Sequence, residues 1–202
     1  MAACGGADNA SSPSSAPSPS QSAPMPAPAG GGGVTTAKDV FGPACSQVPT
    51  SGEGSVAGMV DDPVATAASN NPLLTKLVTA VKAVPGLADT LNGQQAITVF
   101  APADPAFDEL GDAKFKELAA APDKLAPILK YHVAPQRYDA KGLEAAGTVP
   151  NLDSAAGGDL KIEGTGDKLT VNGAPVLCGN IPTRNATVFV IGKVLMPGAN
   201  KQ

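Results

Sequence analysis

Leu73, Leu74, Leu77, Val78 and Val81 recur at helical spacing, with Lys76, Thr79 and Lys82 on the opposite side. The pattern predicts an amphipathic helix. Ser69-Asn70-Asn71-Pro72 marks its start, an Asn N-cap followed by Pro at the first helical position, and Pro85-Gly86 marks its end. Ile97-Thr98-Val99-Phe100 follows as a short β run ended by Ala101-Pro102. Asp104-Pro105 again reads as N-cap and first helical position, aiming Phe107 and Leu110 inward. Leu125, Ile128 and Leu129 continue the helical period through residues 123–133. Pro127 within that stretch predicts a late start or a kink, because proline lacks the N–H that a helical turn requires.

After Gly147 the period changes to two. Leu160 and Ile162 alternate with Lys161 and Glu163, and Leu169 and Val171 alternate with Lys168 and Thr170. Gly164-Thr165-Gly166-Asp167 between them predicts a hairpin loop. Thr187-Val188-Phe189-Val190-Ile191 is apolar on both faces, which suits a central strand. Helices dominate the first half and strands the second, so the fold class is α+β.

Ahead of this patterned region, residues 5–33 are almost entirely Ala, Ser, Pro and Gly. Such a segment buries too little apolar surface to offset the entropy of ordering it, and a disordered tether over residues 1–38 is expected before a folded domain over 39–200. Ala2-Ala3-Cys4-Gly5 resembles the end of a bacterial lipobox, whose cysteine receives a diacylglyceryl thioether. Met1 stands where that pattern usually has Leu, and no basic stretch and apolar run precede Cys4, as expected if Met1 was placed where a signal peptide was removed. Lipidation at Cys4 and an exported, surface-anchored or secreted location are the expectation.

The three cysteines are Cys4, Cys45 and Cys178, an odd count that fits one lipidated cysteine plus one disulfide. Two buried free thiols at Cys45 and Cys178 are the alternative. A bridge there would tie the two ends of the domain and, in the chain-entropy picture, stabilise by up to roughly 5 kcal/mol.

Charge narrows the partners. The formal net charge is −4 with 16% charged residues, so there is no basic face for nucleic acid. Lys76, Lys82, Lys114, Lys116, Lys124 and Lys130 are scattered, which leaves the Cys4 lipid as the one expected attachment to a membrane. Catalysis finds little support. A Ser–His–Asp arrangement would have to use His132, the sole imidazole, which lies between Tyr131 and Val133 at the end of an apolar helix. Tyr131 and His132 are expected to be structural, the ring buried and bonded to backbone. Asp61/Asp62 and Asp108/Glu109 sit beside turn and helix-start signals and read as caps and solvated faces. One His and no C-x-x-C spacing argue against a metal site, and no glycine-rich phosphate loop stands out, so no cofactor is expected. Asn185-Ala186-Thr187 matches an N-glycosylation sequon.

TVFAPADPAF (98–107), YHV (131–133) and NATVFVIGKVLMP (185–197) occur in the order and spacing of the first block, central Tyr-His and second block of the fasciclin (FAS1) domain, which the chain resembles over about residues 55–197. CSQVPTSGEGSVAGM, DPVATAASNNPLL and LCGNIPTRNATV are similar, more narrowly, to mycobacterial secreted and lipid-anchored fasciclin-like surface antigens. The resemblance implies an antiparallel β-wedge flanked by helices, a Cys45–Cys178 bridge, export, and adhesion without enzymatic activity. Departures are Ala103, where the first block usually has Thr or Ser, and Phe189 and Gly192, where the second often has His and Asp. The expected partner is a protein or glycan at a host-cell or matrix surface, met by a monomer through the surface around the two blocks, with Asp104, Pro105 and Arg184 as candidate contacts. The alternative is a small-ligand or lipid-binding carrier of the bacterial envelope with an apolar pocket between helices and wedge.

Overall fold

A strand that is largely apolar on both faces must be covered on both sides. Two such runs, β1 (Ile97–Pro102) and β7 (Ala186–Ile191), lie side by side within the sheet of this chain, and every residue of both is buried. The computed structural model describes residues 34–153 and 158–197. Cys4 and nearly all of the expected tether lie outside them. The helices are α1 (Val56–Met59), α2 (Val64–Asn70), α3 (Thr75–Ala83), α4 (Leu87–Gly93), α5 (Asp104–Leu110), α6 (Asp112–Ala119), α7 (Pro122–Tyr131) and α8 (Ala140–Ala146). The remaining strands are β2 (Val133–Ala134), β3 (Thr148–Val149), β4 (Leu160–Glu163), β5 (Thr170–Val171) and β6 (Ala174–Pro182).

The sheet runs β2-β1-β7-β6-β5-β4-β3. The α+β architecture is as expected, with one seam unlike the implied all-antiparallel wedge. β1 and β7 are parallel, Ile97 opposite Ala186 and Pro102 opposite Ile191, while the other pairings are antiparallel. Alternate residues of this central pair feed two separate cores. Ile97, Val99, Ala101, Val188 and Val190 face Leu74, Leu77, Leu91 and Leu129 on the helical side. Phe100, Phe189 and Ile191 face Tyr131, Leu143, Leu160 and Leu169 on the other, with the two Phe centroids 5.8 Å apart.

An N-terminal strap closes over β6. Phe41 bridges Gly179 in both directions, the Gly179 amide donating to the Phe41 carbonyl at 2.8 Å, and the Ala44 amide donates to the Leu177 carbonyl at 2.9 Å. Gly42 is held at φ +119°, and a Cβ there would fall 2.4 Å from the Leu177 carbonyl oxygen. Beside it a disulfide joins Cys45 to Cys178 across a Cα–Cα distance of 4.9 Å. β6 shifts register on either side of Cys178, which turns that stretch toward the strap.

Local signals were partly overridden. The expected helix start at Ser69–Pro72 falls instead on the end of α2 and a turn, and α3 begins at Thr75. Asn71 does accept a backbone hydrogen bond, but from Leu73, closing a short turn of its own. α5 begins at Asp104 with Ala103 in the N-cap position, and no side chain caps it. α7 starts early, at Pro122, and continues through Pro127. Pro127 therefore removes one internal backbone bond without ending the helix, because Leu125, Ile128 and Leu129 are all buried on its inner side. The Gly164–Asp167 hairpin is present, with β4 and β5 antiparallel on its flanks. A second, two-residue turn at Asn172-Gly173, with φ of 50° and 75°, links β5 to β6 and supplies the Asn-Gly signature of a type I′ hairpin.

Candidate functional site

His132 follows the last residue of α7 and leads into β2. It is 2% exposed. Its Nε2 accepts a hydrogen bond from the Leu195 amide at 2.8 Å, so the ring proton sits on Nδ1, which donates to the Ile128 carbonyl at 2.7 Å. Both nitrogens are thus spent on backbone, and burial lowers the pKa to about 4. Neither nitrogen is free to take a proton from a nucleophile. Next to it Tyr131 is fully buried on the opposite side of the sheet, its hydroxyl accepting from Asn172 Nδ2 at 3.0 Å. The pair fastens α7, the last loop and the β5–β6 turn together.

Asp104 and Arg184 lie at opposite ends of the central seam. The Ala103 amide bonds the Ile191 carbonyl, while the Ile97 amide bonds that of Asn185. Six strand residues separate the two ends, roughly 20 Å at the usual rise. Asp104 is already engaged: its carboxylate accepts from the Thr75 hydroxyl and the Lys76 amide, capping α3 rather than its own helix. Pro105 is exposed on the first turn of α5. Asp108 pairs with Lys76, whose ammonium is held protonated to higher pH by that bond, and Asp112 joins at 3.3 Å. Asp62 accepts from Asn70 Nδ2 at 3.1 Å. Of the carboxylates singled out in the sequence, Asp104 caps α3, Asp108 forms a surface ion pair and Asp62 accepts from an amide side chain. The strands within the two signature blocks, β1 and β7, are core, so any surface around the blocks is built from the segments at the strand ends.

One of those ends is a polar groove of about 550 Å³ lined by Pro63, Asn92, Gln94, Gln95, Ala96 and Arg184. Ala96 is left-handed at φ 58°, an uncommon conformation for a residue with a Cβ. The floor is fixed by Asn185, 9% exposed. Its Oδ1 accepts from the Val64 amide at 2.9 Å, and its Nδ2 donates to the Leu91 and Gln94 carbonyls, each at 2.8 Å. One side chain thereby joins α2, α4 and β7. The sequon nitrogen is consumed, so the motif serves the fold. Sequence reading named Asn185 only as a sequon; nothing local signals its three partners, which come from 91 to 121 residues away. Arg184 is exposed at the rim, and among the described residues no carboxylate lies within 4.0 Å of its guanidinium.

A second depression lies between α2, α3 and α4 and opens outward. Val64, Leu77, Leu91, Val99 and Leu129 line it, and His132 completes the wall. It holds about 60 Å³ of space that a water-sized molecule could occupy. Among the described residues no group of three or more His, Cys, Asp or Glu is placed to hold a metal, and no helix is long and apolar enough to cross a membrane.

Comparison with known proteins agrees with this architecture. The chain is 46% identical over 176 residues to the cell surface glycolipoprotein MPB83 of Mycobacterium bovis, covering 81% of this chain and 74% of that one. It is 42% identical over 171 residues to the immunogenic protein MPB70 of the same species, covering 81% and 85%. Among solved structures it is similar to a FAS1 domain pair from the insect cell adhesion molecule fasciclin I, with a TM-score of 0.56 and 19% identity. That match covers 69% of this chain and 52% of the pair, about half its length. The sequence model of the fasciclin domain matches residues 72–197, and the chain belongs to the fasciclin domain family.

Proposed function

We propose that this fasciclin-domain protein works at the outer surface of a bacterial cell, held by a Cys4 lipid through the 1–38 tether, and that it recognises a protein or glycan on a host cell or matrix without catalysis. The observation that carries the reading is the 46% identity, over most of both chains, to a protein named as a cell surface glycolipoprotein. The spent nitrogens of His132 support the non-enzymatic part. Of the candidate contacts, Arg184 is the one whose charge is uncommitted, and its groove offers the amides of Asn92, Gln94 and Gln95 to a polar partner. Asp104 contributes by holding α3, and Pro105 remains exposed at the far end of the seam.

The test has two arms. Intact-mass analysis of the full-length protein exported by a lipidation-competent host should show a diacylglyceryl adduct lost on Cys4→Ala. Immobilised, oxidised full chain should retain a host-surface or matrix component saturably, with weaker retention after Arg184→Glu. An unmodified Cys4 removes the anchor, and absence of any saturable host ligand removes the recognition reading.

A further inference from the structure

The cleft between α2, α3 and α4 is lined mainly by apolar side chains. Ala65 and Ala68 of α2 and Val78 and Val81 of α3 form a half-buried rim above the buried floor. Alanine at both α2 positions leaves too little side chain there to cover the floor. The polar groups that line the cleft have little to offer a ligand inside it: the Ser69 hydroxyl donates to the Ala65 carbonyl at 2.8 Å, and both His132 nitrogens are taken by backbone. Lys82 is the one charged residue lining the cleft. It is exposed at the mouth, and among the described residues no carboxylate lies within 4.0 Å of it.

From these observations we propose that the cleft binds a linear monoacyl carboxylate, a fatty acid, its chain laid between α2 and α3 and its carboxylate paired with Lys82. The shape selects the chain. The cleft's volume of about 60 Å³ is well below the roughly 150 Å³ that admits a benzene ring, whereas a single run of methylenes can lie along it. The lack of free hydrogen-bonding groups in the wall disfavours sugars and nucleotides, whose polar atoms would be buried unpaired. The unpaired ammonium at the mouth selects an anionic head over a neutral or cationic one. The proposal does not depend on surface adhesion and can hold if that reading fails.

The test is titration of the full-length chain with dodecanoate below its micelle concentration, followed by calorimetry and by backbone amide shifts. Saturable one-to-one binding is expected, with the largest shifts at Ala65, Ala68, Val78 and Val81. Affinity should rise by about fourfold for each methylene added while the chain still fits. Lys82→Gln, at an exposed position that leaves the fold intact, should weaken dodecanoate by about three- to fivefold and leave dodecan-1-ol unchanged. Ala68→Phe should block both ligands, its folding checked by thermal melting. Absence of saturable binding, shifts confined to another surface, or equal dodecanoate affinity with and without the Lys82 charge each overturn the proposal.

Discussion

His132 makes acid stability a direct reading of one side chain. The unfolded chain takes a proton on this imidazole near pH 6.5, whereas the native protein, with the ring buried, takes it only near pH 4. Between those values unfolding absorbs a proton, so acid favours the unfolded state, and stability rises with pH across the window and levels off above it. The two pKa values give a loss of about 2 kcal/mol on going from pH 7 to 5 and about 3 kcal/mol by pH 4. Against the 5–15 kcal/mol total of an ordinary domain, that is a large fraction. Urea unfolding at pH 7, 6, 5 and 4, compared between the parent and His132→Gln, isolates the contribution. The variant is expected to be weaker at pH 7, having lost the ring's fit between Ile128 and Leu195, but to show about 3 kcal/mol less acid sensitivity. Because the chain holds a single histidine, its imidazole resonances also titrate without overlap. A native-state midpoint near 6.5, or a parent and variant with the same pH slope, would refute the reasoning.

Other perturbations follow from the same contacts. Asp104→Ala should cost about 1 kcal/mol in urea unfolding by uncapping α3, and Asp104→Asn should restore part of it through the retained carbonyl oxygen. Asn185→Ala should cost roughly 3 kcal/mol in urea unfolding, since the Val64 amide and two buried carbonyls lose their partner. Gly42→Ala should cost about 2 kcal/mol or more through the left-handed φ and the clash with the Leu177 carbonyl. The same variant should make the Cys45–Cys178 bridge easier to reduce in a dithiothreitol titration, by loosening the strap that holds it.

Much of the architecture was legible because its signals are local. Period-two alternation identified β4 and β5, and the largely apolar run at 187–191 identified a central strand. The burial of Tyr131 and His132 follows from their apolar flanks. What stayed hidden depends on partners far along the chain. Asp104 carries a good N-cap signature for α5, yet its carboxylate turns to α3, whose free amides lie within reach only after folding. Pro127 reads as a helix breaker, and burial of its neighbours overrides the loss of one backbone bond. The parallel β1–β7 seam has no local code, because strand direction is set by the path of everything between the strands.

That seam also fixes the order in which the molecule can assemble. β7 sits between β1 and β6, and its register partners in β1 lie about 90 residues earlier in the chain. Closing so long a loop must precede the contacts that reward it, which slows folding relative to a helical domain of similar size. While the protein is being made, every residue of β1 is already present, but on one side it has only the two-residue β2 and on the other nothing. The nascent chain therefore carries a six-residue apolar edge until synthesis passes Ile191, the period in which it is most exposed to aggregation and most dependent on a holding chaperone.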